Sequence, residues 1–310
     1  MKAYVYNGYG GPEVESLADV PRPAPGPGQL LIAVDAAGVN PADWKRRTGT
    51  MRAAGSASDR PAEQFPLVFG REAAGLVAAT GPGVDGFALG DPVFGNSDGG
   101  GFSEYAVLPA ALTAHRRPGL AATDAATLPV AAATGYDGIR QLGLPAGATV
   151  LINGVGGGVG VAAAQVARHQ GLTVIGTASA GKKDFVESLG VTHVEYGPGV
   201  ADRIRAAAPH GIDGIYDQVG GPALEDVAPL LTDRSKLVSA GDRATVARLG
   251  GSPVARARNR QVLDAVADLV ISGALRPSVT HTFPLDQAAA ALRLVEDGHV
   301  QGKVVIEVAK

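Results

Sequence analysis

A glycine-rich run after a short apolar segment is the clearest chemical signal in the chain. Leu151 and Ile152 end the apolar segment, and residues 153–160 read NGVGGGVG before a helical pattern begins. A strand, turn and helix in this order present backbone N–H groups and a helix N-terminus to a pyrophosphate. A plain tight turn is the alternative for such a motif taken alone. Gly154, Gly157 and Gly160 have a GxxGxxG spacing, and the predicted phosphate-binding residues are these three together with Gly158 and Val159.

The end of the following strand indicates which dinucleotide binds. An NAD site carries an acidic residue near this point, but residues 176–183 read GTASAGKK and the first acidic residue is Asp184. The hydroxyl of Ser179 and the ammonium groups of Lys182 and Lys183 suit the 2′-phosphate of NADP. The alternative is that both lysines only begin an exposed helix, although a lysine there is unfavourable to the helix dipole. The run therefore predicts NADPH as the cofactor.

Alternating strands and helices must position these residues. Apolar runs predict strands at 149–152, 172–177, 193–196, 214–217 and 236–239. Helical patterns lie between the strands, among them 159–170 and 182–189. Strands that alternate with helices predict a doubly wound parallel sheet. A helix over 123–143, with Thr123 or Asp124 as its N-cap, is expected to precede this region.

The two ends of the chain have a different pattern. Short apolar runs at 3–6, 30–36, 67–69 and 75–78, separated by turns rich in glycine and proline, predict a compact β-rich domain. Residues 51–64 have the composition of a polar loop. Helices over 260–271 and 285–296 and a strand over 303–308 are expected near the end. We assign residues 1–122 and 275–310 to one domain and residues 123–274 to the other.

Segments spread over nearly the whole chain resemble one protein family. They are Gly38–Lys45 (GVNPADWK), Phe69–Gly75 (FGREAAG), Gly90–Gly95 (GDPVFG), Ala133–Tyr136 (ATGY), Asp217–Gly221 (DQVGG) and Gly298–Val305 (GHVQGKVV). In this order they resemble the zinc-free quinone oxidoreductases, or zeta-crystallin-like proteins, of the medium-chain dehydrogenase/reductase superfamily. The resemblance implies an α/β fold, with a GroES-like β-rich domain and a Rossmann domain that binds NADP in a doubly wound parallel sheet.

The same resemblance assigns further residues to the cofactor and suggests an assembly. It implies that Tyr196 lies near the phosphate on the adenine side, and that the protein forms a homodimer. The other cofactor contacts that it implies are Thr134, Val219, Ser239, Gly241, Gly302 and Lys303.

The resemblance also shows where the zinc-containing relatives would hold their catalytic metal. Those positions fall near Asn40, Arg71 and Val130, none of which is a usual zinc ligand. The chain has no cysteine, and its 6 histidines are scattered, so we expect no metal. Without a Lewis acid, alcohol oxidation is disfavoured. An electron-poor acceptor can still take hydride if donors face its oxygen.

The predicted catalytic residues are Asn40, Arg71, Asp43 and Tyr136. We expect Asn40 and Arg71 to lie at the acceptor oxygen, and the proton to come from Tyr136 or from water. The alternative for Arg71 is an ion pair with Asp43 or Glu72 that only braces the site.

Bulk composition limits the possible partners. The net charge of −3 shows no basic excess for nucleic acid. The sequence has no run of eighteen apolar residues, so we expect no membrane span. The first residues lack the apolar core of a signal peptide. We therefore expect a cytoplasmic protein with a small-molecule substrate and with neither nucleic-acid nor membrane partners.

A loose basic stretch is the exception to the mixed surface charge. It is either a solvated loop and helix start or a site for an anionic substrate tail. Its arginines are Arg243, Arg248, Arg256, Arg258 and Arg260.

The sequence supports three functional hypotheses. The first is an NADPH-dependent, zinc-independent reductase that transfers hydride to quinones. The second is an NADPH-dependent reductase of activated C=C bonds in enones or enoyl thioesters. The third is a non-catalytic NADPH-binding sensor.

Overall fold

The structure is a computed structural model that describes residues 1–51, 64–97 and 99–309. Contacts between backbone positions divide the chain into two units. The first consists of Met1–Val130, Asn259–Ala267 and Val279–Lys310, and the second of Ala131–Arg258 and Asp268–Ser278. The sequence-based division lay at residues 122 and 275 instead. Residues 52–63 of the predicted polar loop lie outside the described residues.

The strands are numbered along the chain. In the first unit they begin with β1 Lys2–Tyr6, β2 Glu15–Asp19, β3 Gln29–Val39, β4 Leu67–Val68, β5 Glu72–Thr80, β6 Pro92–Asn96, β7 Tyr105–Pro109 and β8 Thr113–His115. The second unit contains β9 Thr149–Asn153, β10 Thr173–Ala178, β11 Thr192–Glu195, β12 Gly214–Asp217, β13 Leu237–Ser239 and β14 Ser252–Pro253. The chain returns to the first unit with β15 Val279–Pro284 and β16 Lys303–Glu307.

The α-helices are numbered in the same way. They are α1 Pro41–Arg47, α2 Ala122–Ala125, α3 Ala133–Leu142, α4 Gly158–His169, α5 Lys183–Ser188, α6 Val200–Ala207, α7 Gly221–Val227, α8 Arg243–Arg248, α9 Arg260–Ile271 and α10 Ala288–Glu296. In the described part of the chain, no helix is long and apolar enough to cross a membrane.

The first unit is built around a largely antiparallel sheet. Its strands run in the order β15-β16-β3-β5-β6-β8, with β7 also paired to β3, and a smaller sheet has the order β2-β1-β4. The core includes Tyr6, Leu30, Ile32 and Phe102, each at most 1% exposed. Strand β3 is central and pairs with strands from both ends of the chain. Most of its residues are buried.

The second unit is a six-stranded parallel sheet in the order β11-β10-β9-β12-β13-β14. Numbered within the unit, this is strand order 3-2-1-4-5-6, the doubly wound arrangement that binds dinucleotides where the order reverses. Apolar residues that include Leu151, Ile215 and Leu237 form its core. The predicted α/β fold, with a GroES-like unit and a Rossmann-like unit, is confirmed.

The helix predicted over 123–143 is not continuous. A π-helical segment, Leu128–Ala132, separates α2 from α3. Pro129 lies in that segment and has no N–H to continue an α-helix. The N-cap of α2 is Ala121, not Thr123 or Asp124, and it makes no side-chain cap hydrogen bond. This part of the prediction was wrong.

Candidate functional site

The glycine turn after β9 has the geometry of a dinucleotide-binding loop. Gly154 follows Asn153 with a φ of +87°, and an added Cβ there would lie 2.8 Å from Val219 Cγ2. A Cβ on Gly160 would lie 2.5 Å from the carbonyl oxygen of Gly154, so only glycine lets α4 approach the turn this closely. At Gly157 no described atom beyond its chain neighbours lies within 4 Å of a Cβ position. This opening beside the start of α4 suits a pyrophosphate.

Gly158 and Val159 form the first positions of α4, which packs tightly against α3. A Cβ on Gly135 would lie 2.8 Å from the backbone nitrogen of Ala163 and 3.0 Å from the carbonyl oxygen of Val159. The close approach sets Thr134, the residue before Gly135, beside the start of the cofactor-binding helix. Thr134 is buried, and its carbonyl oxygen accepts a hydrogen bond of 2.7 Å from the hydroxyl of Tyr216.

Lys182 and Lys183, which the sequence treats alike, occupy different environments. A Cβ on Gly156 would lie 2.7 Å from Cδ of Lys182, so this side chain passes across the glycine turn. Burial lowers the pKa of Lys182. Lys183 points away into an exposed ion pair of 2.5 Å with Glu187, one helical turn later. The lysine at the turn is therefore Lys182, whereas Lys183 serves the surface of α5.

The other residues predicted on the adenine side surround the same strand end. Ser179 directly follows β10 and precedes the turn that carries Lys182. Tyr196 directly follows β11 and is 60% exposed, with its backbone N–H bound to the carbonyl oxygen of Ala178. Both residues lie at the carboxyl ends of neighbouring parallel strands, the edge at which such sheets bind ligands.

A buried carboxylate, Asp217, holds the strand ends and turns in place. Its Oδ1 accepts a hydrogen bond of 2.8 Å from Asn153 Nδ2, and its Oδ2 accepts one of 2.6 Å from Ser239 Oγ. The backbone N–H groups of Val219 and Gly220 also donate to it. All these donors are neutral, and the carboxylate ties β9, β12 and β13 together at one edge of the sheet.

The residues on this edge that were predicted to contact the cofactor fall into two groups. Val219 is 53% exposed and available to a ligand. Ser239 is buried. Its hydroxyl donates a hydrogen bond to Asp217 and accepts hydrogen bonds from the backbone N–H groups of Gly241 and Asp242. Ser239 therefore shapes the turn, and Gly241 allows it: a Cβ there would lie 2.7 Å from the backbone carbon of Gln218.

A second buried carboxylate, Glu72 of the first unit, binds groups from distant parts of the chain. Its Oε1 accepts a hydrogen bond of 2.7 Å from Asn40 Nδ2 and one of 3.0 Å from Lys303 Nζ. Its Oε2 accepts a hydrogen bond of 2.7 Å from the backbone N–H of Val130. Glu72 is 0% exposed and Lys303 4%. A Cβ on Gly38 would lie 2.1 Å from Glu72 Oε1, so glycine at position 38 makes room for this carboxylate.

Lys303, predicted from the resemblance to contact the cofactor, points its ammonium into this network. Its three N–H bonds are directed to Glu72 Oε1, to Asn40 Oδ1 at 2.7 Å and to the carbonyl oxygen of Val39 at 3.2 Å. A cofactor contact through the ammonium would have to break one of these bonds. Gly302, just before it, has a φ of +68°.

Asn40 has no amide donor left for a substrate. Its Nδ2 donates to Glu72 and, at 3.3 Å, to the carbonyl oxygen of Gly38, while Lys303 fixes which end of the amide is the oxygen. The expected hydrogen bond from Asn40 to the acceptor oxygen therefore conflicts with the geometry. Asn40 bonds to both members of the Glu72–Lys303 ion pair and so helps to orient them.

Asp43, in α1, is a buried carboxyl beside this network. Its Oδ2 accepts 2.9 Å from the backbone N–H of Asn40, as the acidic partner of a capping box does. Its Oδ1 has no hydrogen-bond partner among the described residues. Burial raises the pKa of Asp43 to about 7, and the charge of Glu72 adds to the rise while Lys303 and Arg71 oppose it.

The remaining predicted catalytic residues are Arg71 and Tyr136. Arg71 is half-buried directly before β5, and its carbonyl oxygen accepts from the backbone N–H of Ser97 at 2.8 Å. Glu72 forms an ion pair with Lys303, and the alternative of an ion pair from Arg71 to Asp43 or Glu72 stays a prediction. Tyr136 belongs to α3 of the second unit, with the guanidinium of Arg140 5.4 Å from its ring centre.

A catalytic zinc of the kind found in the zinc-containing relatives does not fit these residues. The amide of Asn40 is fully engaged, Arg71 is a cation, and the backbone N–H of Val130 is bound to Glu72. Within residues 1–51, 64–97 and 99–309, no group of three or more His, Asp or Glu side chains could hold a metal ion.

The sequence reasoning missed Glu72 and Gly38 as site residues. A signal for part of the network was present: an asparagine, a proline and an acidic residue at positions 40, 41 and 43 mark a helix start. Reading that signal would have placed Asn40 and Asp43 at α1, although not beside Glu72 or Lys303.

Comparisons with known proteins agree with this architecture. Residues 26–118 match the family described as "Alcohol dehydrogenase GroES-like domain", and residues 189–306 match the family described as "Zinc-binding dehydrogenase". The chain is 31% identical over 321 residues to 2-methylene-furan-3-one reductase of Solanum lycopersicum, covering 99% of this chain and 79% of the relative. It is 35% identical over 318 residues to the spectinabilin polyketide synthase system protein NorB of Streptomyces orinoci, covering 96% of this chain but only 14% of that longer protein.

Solved structures extend the likeness to three dimensions. The quinone oxidoreductase from Coxiella burnetii has a TM-score of 0.90 at 29% identity, covering 100% of this chain and 99% of the other. The mycobacterial protein Rv1454c, solved in complex with NADPH, has a TM-score of 0.85 at 28% identity, covering 99% of each chain. The glycine turn, the strand order and these likenesses together establish NADPH binding.

Proposed function

Because the chain belongs to the zinc-free, quinone oxidoreductase-like family of medium-chain dehydrogenases/reductases, we propose that it is an NADPH-dependent, zinc-independent reductase that transfers hydride to quinones. The observation that carries the proposal is the state of the three positions where zinc ligands would stand. Asn40 and the backbone of Val130 are both committed to Glu72, and Arg71 contributes a cation instead of a ligand. This favours acceptors that need no Lewis acid.

In the proposed reaction the protein binds, orients and stabilises charge. NADPH supplies the hydride when it is bound. An acceptor oxygen that gains negative charge needs a donor or a cation nearby, and we assign that role to Arg71. Asn40, Glu72 and Lys303 act as positioning residues, because their polar groups are bonded to one another. Tyr136 or water is the proposed source of the proton.

Arg71 can be tested by removing and then restoring its charge. We expect Arg71→Ala to lower kcat/KM for quinones by about tenfold or more, and Arg71→Lys to recover part of the loss. Equal activity of the wild type and Arg71→Ala would contradict the electrostatic role.

The preference for NADPH over NADH is assigned to Lys182. We expect Lys182→Gln to raise the KM for NADPH by roughly tenfold, as the loss of one charge-assisted hydrogen bond would, with little change for NADH. Lys183→Gln is the matched control, since it removes the same charge from the neighbouring residue, which is paired with Glu187. If the two variants behaved alike, the assignment to Lys182 would fail.

The reaction itself is tested by following NADPH and NADH oxidation with three acceptors. We would use 1,4-benzoquinone, 9,10-phenanthrenequinone and an enone, before and after treatment with EDTA. Turnover of quinones with NADPH, undiminished by EDTA, supports the proposal. Loss of activity in EDTA contradicts zinc independence, and NADPH binding without turnover of any acceptor contradicts an enzyme of this type.

A reductase of activated C=C bonds is the second candidate. It is favoured by the 31% identity to 2-methylene-furan-3-one reductase and the 35% identity to part of a polyketide synthase system protein. Turnover of the enone alone would select it. A homodimeric assembly and a cytoplasmic location are parts of the proposal that gel filtration and cell fractionation would test.

A further inference from the structure

Three arginines gather at one edge of the parallel sheet in the second unit. Arg243 is the first residue of α8, shortly after β13, and Arg256 and Arg258 follow β14. All three side chains are exposed. Because β13 and β14 are parallel neighbours, their carboxyl ends meet at the same edge. Open α/β sheets bind their ligands outside that edge.

The segment that carries Arg256 and Arg258 is fixed to α3 rather than left as a free loop. The side chain of Gln141 donates a hydrogen bond of 3.1 Å to the carbonyl oxygen of Pro253 and accepts one of 2.7 Å from the backbone N–H of Ala255. Asp137 Oδ2 accepts 2.9 Å from the backbone N–H of Ala257. Two side chains of one helix thus bind backbone groups of the segment on both sides of position 256.

The backbone at Arg258 is strained. Its φ is +42°, in the left-handed region that non-glycine residues rarely adopt. Such strain persists where the surrounding structure enforces it, and it is concentrated at functional sites.

The charges of the three arginines are not neutralised within the unit. Arg243, Arg256 and Arg258 make no ion pair with any residue of the second unit that the structure describes. Protein atoms partly desolvate the Arg256 guanidinium and lower its pKa, and the positive charges of Arg258 and Arg243 lower it further. Asp137 is the carboxylate that faces Arg256, but it lies beyond ion-pair distance and already accepts from Ala257.

The arginines stand on the opposite half of the sheet from the cofactor turn. Gly154 and Lys182 follow β9 and β10, whereas the arginines follow β13 and β14. In a sheet of this strand order the two halves hold the two mononucleotides, so the group that binds the adenosine phosphates lies away from the arginines. The arginines therefore lie on the half that holds the nicotinamide mononucleotide, and the electron acceptor must come close to this half to receive the hydride.

We infer that Arg243, Arg256 and Arg258 bind an anionic group, such as a phosphate or a carboxylate, on the tail of the electron-accepting substrate. Guanidinium groups bind such groups through paired N–H donors. This inference rests on the proposed function, because it names the class of substrate that the reductase accepts: an electron-poor head with an anionic tail.

The test compares acceptors that share a reacting group and differ in charge. One pair is crotonyl-coenzyme A and the neutral crotonyl thioester of N-acetylcysteamine, and the other is 1,4-naphthoquinone-2-sulfonate and 1,4-naphthoquinone. The variants are Arg256→Gln and Arg258→Asn, the latter chosen because asparagine tolerates the left-handed backbone. Arg248→Gln is the matched control, since it removes one charge from α8 at a residue paired with Glu225.

We expect each variant to raise the KM for an anionic acceptor by about tenfold or more, with a change below about twofold for the neutral member of the pair. Arg248→Gln should leave both unchanged. A phosphate site responds most strongly with the coenzyme A thioester, and a carboxylate-like site with the sulfonate. Equal effects on charged and neutral acceptors, a raised KM for NADPH instead, or no effect at all would overturn the inference.

A binding measurement separates failure of this inference from failure of the proposed function. Coenzyme A and inorganic diphosphate are titrated by calorimetry into the NADPH-saturated protein. If no acceptor is reduced, the proposed function fails, yet binding that is lost in Arg256→Gln still supports the anion site. Turnover of quinones together with anion binding that is absent, or unchanged by the variant, keeps the function and rejects the site.

Discussion

Two buried carboxylates organise the two units, and they do so in opposite ways. Asp217 accepts only from neutral donors, which lie at strand ends and turns of the Rossmann-like unit. Glu72 instead pairs with the ammonium of Lys303 and with the amide of Asn40 in the GroES-like unit. The first arrangement fixes the course of the backbone, and the second fixes side chains and their charges.

The difference predicts how each unit fails. When a carboxylate held by neutral donors is replaced, those donors lose their hydrogen-bond acceptor, which lowers the free energy of unfolding by about 1–3 kcal/mol. A carboxylate paired with a buried cation leaves an uncompensated charge, which costs about 3–5 kcal/mol.

The largest expected effect is therefore that of Glu72→Gln. The substitution leaves the Lys303 ammonium buried without its counter-charge, and we expect it to lower the free energy of unfolding of the GroES-like unit by about 3–5 kcal/mol. Urea denaturation followed by tryptophan fluorescence measures this, because the chain has 1 tryptophan, Trp44, in α1 next to Asp43.

A second substitution sharpens that result. In the double variant Glu72→Gln/Lys303→Met the stranded charge is absent, so part of the lost stability should return. If the double variant were no more stable than Glu72→Gln alone, the ion pair would not be the source of the effect.

A smaller effect is expected from Asp217→Asn in the Rossmann-like unit. The new NH2 group would face a donor, either Asn153 or Ser239, and we expect a loss of about 1–3 kcal/mol. NADPH affinity, measured by fluorescence titration, should fall as well, because the glycine turn begins beside Asn153. A loss as large as that of Glu72→Gln would remove the contrast between the two carboxylates.

The effect expected at Asp43 is a change in pH dependence, which builds up gradually over several pH units. Burial raises its pKa from 3.8 to about 7, so between these values the folded protein keeps a proton that the unfolded chain releases. Its contribution to stability is therefore full below about pH 4 and is lost as the pH rises to about 7, at no more than about 1.4 kcal/mol per pH unit.

Asp43→Asn should remove that dependence. The difference in unfolding free energy between wild type and variant, measured from pH 4 to pH 8, should shift in favour of the variant as the pH rises. A difference that stayed constant over this range would show that Asp43 does not bind the extra proton in the folded state.

The Rossmann-like unit was largely predictable because its signals are local. The glycine turn, its flanking strand and helix, and Lys182 lie within about thirty residues of one another, as a strand–helix–strand unit requires. The strand predicted at 214–217 matches β12. The predicted helix over 123–143 is broken near Pro129, because proline has no N–H for the helical hydrogen bond.

The network around Glu72 could not be predicted in the same way. Its members, Asn40, Glu72, Val130 and Lys303, come from four separate parts of the chain. The pairing of β3 with β5 and β16 brings Asn40, Glu72 and Lys303 together. Several strands of this unit, among them β2 and β15, mix polar and apolar residues without an apolar run, so they were not predicted. Nothing in the sequence indicates that the Lys303 ammonium points inward.

The hydrogen bonds of Glu72 also determine how readily this scaffold could be engineered into a metalloenzyme. Cysteine at position 40 would delete the amide that bonds to both Glu72 and Lys303. A metal ligand at position 130 would belong to a residue whose backbone N–H is already bound to Glu72. A bound dication would then lie close to a buried ammonium. A designer would have to replace Lys303 before introducing any zinc ligand, so single substitutions along that route should each be destabilising.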